Sequence, residues 1–289
     1  MIPKIIHYCW FGRGPMPKVV LWCIESWKKH CPDYELKLWN EENFDVNSVP
    51  FVKQAYDLKK WAFVADYVRM YALYHDGGNG GIYMDADEYM LKGLDDLLGH
   101  RLVSCHEYYP GVFAENLYKL ERDTWLPKGK EQWMRNSGLG VCANPLVAEA
   151  KHPLIKDCLD YYNTHDFMYV NDDFSNDEQI VGGVLSKAAM KYGYCYHAKE
   201  QHLDEGIVIL GPEVFILNSL FYSFSKSRVV HMALGSWTGV DNSKLLRKIM
   251  LNYPAVALLH LQCKCILRNI KHLFLSKAES NKRKGNYWE

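Results

Sequence analysis

The sequence predicts an α/β fold built on a parallel sheet. Residues 4–39 read as strand, loop, helix and strand in turn. A helical stretch free of Gly and Pro, residues 51–75, runs into a glycine cluster and then into the apolar run Ile82-Tyr83-Met84. Further short apolar runs at 102–105, 207–210 and 228–232 lie between helical stretches. The chain has 289 residues, 48% hydrophobic and 24% charged, enough to bury a full core.

Taken in order, residues 4–10 follow Pro3 and form a strand buried on both faces. Residues 11–17 hold two Gly and two Pro and form a loop. Residues 19–30 fit a helix. Residues 34–39 alternate between apolar and charged side chains, as a strand does. In the helix expected over 51–75, Asp66 and Arg69 are three apart and share a face. Gly77-Gly78-Asn79-Gly80-Gly81 supplies a sharp turn, since glycine reaches backbone angles other residues avoid. The stretch 107–135 reads as an insertion near the site. Residues 154–162 form a helix, and a second helix is expected over 172–185, its start marked by acidic residues.

Nine cysteines with no zinc-ribbon spacing read as reduced, buried small apolar residues of a cytosolic protein. The opening residues lack a secretion signal, and no uncharged apolar run approaches the ~20 residues that span a bilayer. The aromatic share, 14%, fits stacking on bases and sugars, and equally fits core filling. The charge is uneven. From Asn242 onward there are ten Lys and Arg against two Glu, while the whole chain is neutral. An acidic main body excludes general nucleic-acid binding. The basic segment interleaves Lys and Arg with Leu245, Leu246, Ile249, Met250, Leu258, Leu259, Ile266, Leu267, Ile270, Leu273 and Phe274. It fits amphipathic helices on an anionic membrane, or a helical cap on the main domain. The expected organisation is one domain over 1–241 and a basic helical extension over 242–289.

Asp85 and Asp87 carry the chemistry. On an extended chain residues two apart point to one side. Two carboxylates placed there suit a hard cation such as Mg²⁺ or Mn²⁺. The end of a strand in an α/β sheet is also where ligands commonly bind. The plain alternative is a pair of solvated loop acids.

The surrounding residues narrow this. Ala65-Asp66-Tyr67-Val68-Arg69, then Leu73-Tyr74, then Gly80-Gly81-Ile82-Tyr83-Met84-Asp85-Ala86-Asp87 resembles the core of the DXD-containing sugar transferases of glycosyltransferase family 32. These are relatives of yeast mannosyltransferases and of clostridial glucosylating toxin catalytic domains. The opening Ile2-Pro3-Lys4-Ile5-Ile6-His7-Tyr8-Cys9-Trp10-Phe11-Gly12 resembles that family's first strand. His231-Met232-Ala233-Leu234-Gly235-Ser236-Trp237 is similar to its closing motif.

The resemblance implies a GT-A type fold, a Rossmann-like nucleotide-binding sheet with helices on both faces. It implies retaining transfer of a hexose from a nucleoside-diphosphate sugar with a divalent cation. In that reading Trp10 stacks on the base. Asp66 and Arg69 contact the donor sugar and its diphosphate. Asp87 ligates the metal, Asp85 contacts the metal or the ribose, and Ser236 and Trp237 close over the diphosphate, with Ser236 reaching the metal. Asp85, Asp87 and Arg69 are the catalytic group. His231 reads as orienting a neighbouring loop or as a satisfied core histidine. Asn136, Asp177 and Glu178 are further candidates for substrate contacts. The glycine turn at 77–81 is longer than the family's single Gly-Gly.

The expected acceptor is a polysaccharide or a lipid-linked oligosaccharide, as in building a bacterial surface polymer. The expected location is the cytoplasm, with peripheral attachment to the inner face of the plasma membrane through the basic segment. Two other readings stand beside this one. One is a metal-dependent phosphotransferase using Asp85 as nucleophile, against which Glu88-Tyr89 is the wrong sequel. The other is a non-enzymatic membrane-surface binding module.

Overall fold

The computed structural model describes residues 1–75, 80–129, 138–168, 179–216, 223, 225–232 and 245–253, with separate positions from 255 to 267. In chain order the elements are β1 (Ile5–Cys9), α1 (Lys18–His30), β2 (Glu35–Trp39), α2 (Pro50–Asp57), α3 (Trp61–His75), β3 (Gly80–Tyr83), β4 (Glu88–Met90), β5 (Leu102–Tyr108), α4 (Pro110–Asn116), β6 (Leu139–Val141), β7 (Leu146–Glu149), α5 (Pro153–Thr164), α6 (Val181–Ala189), β8 (Gln201–His202), β9 (Ile207–Leu210), β10 (Phe215–Ile216), β11 (Val229–His231) and α7 (Leu245–Asn252).

Among the described residues the main sheet runs β2-β1-β3-β7-β5-β9-β8, with β6 also on β5, and a smaller sheet runs β10-β11-β4. The main sheet is mixed, which corrects the expectation of a parallel one. β1 pairs in parallel with β2 and β3, and β5 with β9. β7 runs antiparallel to both β3 and β5. The reason is local. β6 and β7 both run antiparallel to β5, so residues 142–145 carry the chain onward in one direction and β7 meets β3 already reversed.

Side chains alternate across this sheet and fill a core on each face. Tyr83, Leu102, Leu146, Ala148, Ile207 and Ile209 face the core under α2, α3, α5 and α6. Ile6, Ile82, Val103, Val147 and Val208 face the opposite core under α1. Strand side chains alternate with period two, so β3, β5, β7 and β9 serve both layers. Helices therefore cover both faces, as the sequence predicts. Most of the large aromatic side chains belong to these cores, with Trp27, Tyr162, Tyr194 and Tyr196 fully buried. All eight described cysteines are free, and six are buried.

The helix expected over 51–75 is two helices. Lys59 adopts φ 58° and lets the Lys60 N–H bond back to the Ala55 carbonyl at 2.9 Å. Such a left-handed closure ends a helix, usually on Gly. A lysine there leaves no signal for sequence reading. The strand expected at 102–105 continues to Tyr108. Of the helix expected over 172–185, residues 181–185 lie in α6, and 169–178 lie outside the described residues.

β3 enters the sheet through two glycines with positive φ, Gly80 at 75° and Gly81 at 140°. A Cβ on Gly80 would lie 2.4 Å from the Ala148 carbonyl oxygen, and one on Gly81 2.9 Å from that of Ile5. Only glycine lets β3 slot between β1 and β7 here. Buried His7 braces the junction. Its Nδ1 accepts from the Trp39 indole at 3.2 Å, which leaves Nε2 to donate to the Gly80 carbonyl at 3.2 Å.

Beyond this core, α7 packs against α1, and Leu251 reaches the edge of the core beneath it. Past it, Tyr253, Val256, Leu259 and Leu267 are exposed. No helix among the described residues is long and apolar enough to cross a membrane.

Candidate functional site

The acidic turn begins where β3 stops. The Met84 N–H still bonds to the His7 carbonyl at 3.0 Å, which keeps the chain extended up to Asp85. The Glu88 N–H then bonds to the Asp85 carbonyl at 3.0 Å, closing a turn over 85–88. β4 leaves this turn and pairs with β11, with Glu88 opposite His231. The Met232 N–H bonds to the Asp87 carbonyl at 2.9 Å. Asp85 and Asp87 thus sit at the carboxyl end of a central strand, on a turn pinned at both ends.

Arg69 lies beneath the turn. It is 4% exposed and projects from α3. Its Nη2 lies 3.0 Å from Asp66 Oδ1 and 3.3 Å from Asp85 Oδ1. Its Nη1 donates to the Ala143 carbonyl at 3.1 Å, and its guanidinium stacks 4.5 Å above the Tyr83 ring. Burial opposes the guanidinium charge, but Asp85 and Asp66 more than offset it and keep the group cationic. Asp66 also accepts the N–H of Val181 at 3.3 Å, which anchors the start of α6.

His231 holds the other carboxylate. Its Nε2 lies 3.1 Å from Asp87 Oδ1. Burial would lower its pKa, yet Asp87, Asp85 and Glu88 together raise it to about 10. At neutral pH it is an imidazolium facing Asp87. The sequence suggested loop orientation or core packing for this residue, and its geometry is a direct contact with the acidic turn. The signal was present in its place beside the closing motif.

Glu88 was not singled out from the sequence. It is 1% exposed, its Oε2 accepts the Asp85 N–H at 2.9 Å, and its Oε1 accepts from Asn144 Nδ2 at 3.3 Å. Burial, and next the Asp85 charge, push its pKa well above the usual carboxylate range. The Trp27 indole donates to its backbone carbonyl at 2.7 Å. Sequence pattern gave no hint, since a Glu in a short strand reads as a solvated face.

Arg69 therefore joins Asp66 to Asp85 by direct contact, and Asp87 lies two residues on in the same turn, against His231. Trp10 makes its contacts elsewhere. It is half-buried beyond β1, and its indole donates to the Gly14 carbonyl at 2.7 Å. Ser236 and Trp237 lie outside the described residues, as do Asn136, Asp177 and Glu178.

The donor set fits a divalent cation of the hard, oxygen-seeking kind. Asp85 and Asp87 offer carboxylate oxygens two residues apart, and the described contacts of the turn gather four carboxyl groups with Arg69 and His231. Among the described residues no three His, Cys, Asp or Glu side chains form a complete cage. A cation here would draw its remaining ligands from water and phosphate oxygens, as Mg²⁺ and Mn²⁺ commonly do.

Comparison with known proteins agrees with this geometry. Residues 17–104 match the family model described as glycosyltransferase sugar-binding region containing DXD motif. That segment holds Asp66, Arg69, Asp85 and Asp87 and leaves out Trp10, Ser236 and Trp237. Over 155 residues the chain is 31% identical to inositol phosphoceramide mannosyltransferase 2 of Schizosaccharomyces pombe (strain 972 / ATCC 24843). The match takes in 44% of this chain and 41% of that protein, so the chain spans about two-fifths of the curated relative's length.

Among solved structures, the PaToxG glycosyltransferase overlaps 66% of this chain and 69% of its own at 17% identity, with a TM-score of 0.43. A glycosyltransferase involved in glycosylation of the major capsid of PBCV-1 overlaps 80% of this chain and 94% of its own at 11% identity, with a TM-score of 0.40. Both overlaps are loose. The segment matched in sequence, residues 17–104, contains Asp66, Arg69 and the pinned acidic turn.

Proposed function

We propose that the chain is a glycosyltransferase that moves a hexose from a nucleoside-diphosphate sugar, UDP-linked by preference, to a saccharide acceptor. The observation that carries this reading is the Asp85–Asp87 pair. It stands at the end of a central strand, with Arg69 bonded to one carboxylate and His231 to the other. A divalent cation bound there would neutralise the charge that gathers on the departing diphosphate.

The chain's own residues set the geometry. Asp87 and Asp85 would supply the carboxylate oxygens that hold the cation. Arg69 would act from beneath by orienting Asp85, with its charge already shared between Asp66 and Asp85. The turn is fixed before substrate arrives, so it costs little reorganisation during the reaction, which is the condition for strong electrostatic stabilisation. In this reading Trp10 flanks the nucleotide base, and Ser236 and Trp237 cover the diphosphate. Transfer with retention proceeds at the front face, with the departing phosphate taking the acceptor's proton. An inverted product would overturn that step.

The acceptor is a polysaccharide or a lipid-linked oligosaccharide handled on the cytoplasmic side of a membrane. Support comes from the segment beyond α7, where exposed Tyr253, Val256, Leu259 and Leu267 lie among Lys and Arg. The deciding experiment is a binding screen across UDP- and GDP-sugars with and without Mn²⁺. Metal-dependent binding of one sugar nucleotide supports the proposal. Binding of none of them contradicts it. Formation of a phosphoaspartyl enzyme at Asp85 would favour a phosphotransferase instead.

A further inference from the structure

One loop grips Asp85 from two directions. Ala143 and Asn144 follow β6 and pass beneath the acidic turn. The Ala143 carbonyl takes Arg69 Nη1, whose neighbouring Nη2 meets the Asp85 carboxylate. The Asn144 side-chain amide donates to Glu88 Oε1, while Glu88 Oε2 accepts from the Asp85 backbone N–H. The side chain and the backbone of Asp85 are thus each tied, through one intermediary, to adjacent residues of the same loop.

The chemistry of the second path is specific. Both Glu88 oxygens face donors, Oε2 the Asp85 N–H and Oε1 the Asn144 NH₂. Asn144 is nearly buried and Glu88 is 1% exposed, so neither exchanges its partner for water readily. Glu88 is also fixed through its main chain, by the Trp27 indole on its carbonyl and by strand pairing with His231. Burying a glutamate is costly unless it is hydrogen-bonded, and the Asp85 amide and the Asn144 side chain supply those bonds.

We propose that Glu88 and Asn144 are positioning residues. Together they set the direction of Asp85 relative to Asp87, and so the affinity of the turn for the diphosphate-bound cation. This rests on the donor-site reading above. The supporting partners of metal ligands commonly carry roughly 10–100-fold in metal affinity, which sets the size of the effect.

The test uses a reciprocal swap in the full chain. Asn144→Asp sets two carboxyl groups against each other and removes the amide donor. Adding Glu88→Gln restores one donor and one acceptor across the contact, and still leaves an oxygen for the Asp85 N–H. Two readouts are taken besides thermal unfolding. One is hydrogen exchange at the Asp85 amide without ligand. The other is Mn²⁺ titration in the presence of UDP or GDP, followed by electron paramagnetic resonance.

Asn144→Asp is expected to speed Asp85 amide exchange and weaken Mn²⁺ binding, each by about tenfold. The double variant is expected to recover most of both. Unchanged exchange and Mn²⁺ binding in Asn144→Asp would overturn the proposal, as would a double variant no better than the single one. If the unaltered chain binds no Mn²⁺ with either nucleotide, the donor-site reading fails. The exchange data then still decide whether Glu88 and Asn144 hold Asp85.

Discussion

Arg69 Nη2 lies 3.3 Å from Asp85 Oδ1, across the gap between α3 and the turn that follows β3. This contact converts an ordinary i,i+3 ion pair with Asp66 into a brace for the acidic turn. Removing the cation would leave Asp66, which is almost wholly buried, without its main counter-charge. Breaking one side of a buried pair typically costs about 3–5 kcal/mol. Arg69→Ala should lower stability by that order in urea unfolding. Arg69→Lys should recover little of it, because an ammonium cannot serve Asp66, Asp85 and the Ala143 carbonyl from one rigid fork.

His231 offers a contrast. It meets Asp87 from the neighbouring strand, and its charge depends on that contact. His231→Gln keeps a donor in place without the charge. It should fold normally and require more Mn²⁺ for half-maximal sugar-nucleotide turnover. A metal titration of turnover in the two proteins checks this, and an unchanged midpoint would remove His231 from the account.

Gly80 sets a purely steric prediction. Its φ of 75° and the Ala148 carbonyl 2.4 Å from a would-be Cβ leave no room for a side chain. Gly80→Ala should cost at least about 2 kcal/mol, the combined scale of backbone strain and overpacking. Gly99→Ala, where nothing lies near a Cβ, is the matched control. Chemical unfolding of both variants gives the comparison.

The buried His106 on β5 predicts acid sensitivity. Burial lowers its pKa from 6.5 to about 4, while its ring nitrogen donates to the Lys199 carbonyl. Between those two values the unfolded chain binds a proton that the folded chain refuses. Stability therefore falls as pH drops from about 6.5 toward 4, by up to about 3 kcal/mol from this group. His106→Gln keeps a donor for Lys199 and should flatten that part of the stability–pH curve relative to the unaltered chain.

Much of this architecture was legible because local pattern and tertiary role coincide. The alternation in 34–39, the apolar run at 82–84 and the glycines before it all mean in the fold what they mean in isolation. The sheet's mixed direction was not legible, because it depends on how the chain returns alongside β5 as β6 and β7 rather than on any strand's composition. The break at Lys59 escaped for a similar reason, since nothing marks a lysine as left-handed. In the site, Asp66, Arg69, Asp85 and Asp87 follow from spacing and resemblance. Glu88 and Asn144 do not, because their meaning comes from a contact 56 residues apart along the chain.

The basic segment makes its own prediction. If it meets a membrane, binding should grow with anionic lipid and fall with salt, because the attraction is screened over about a Debye length. Vesicle co-sedimentation of the full chain, compared with a chain ending at residue 253, measures this. The shorter chain keeps α7 on α1 and loses the exposed apolar positions beyond it. Equal binding by the two chains would leave the segment with a packing role alone.

The central claim is that the Asp85–Asp87 turn works on a diphosphate sugar with a divalent cation. Its most direct measurement is hydrolysis of UDP- and GDP-sugars by the purified chain, with Mn²⁺ or with chelator, for the unaltered protein and for Asp87→Ala. The expected result is release of nucleoside diphosphate from at least one donor, abolished by chelator and by the substitution in a folded protein. Turnover that survives both would contradict it.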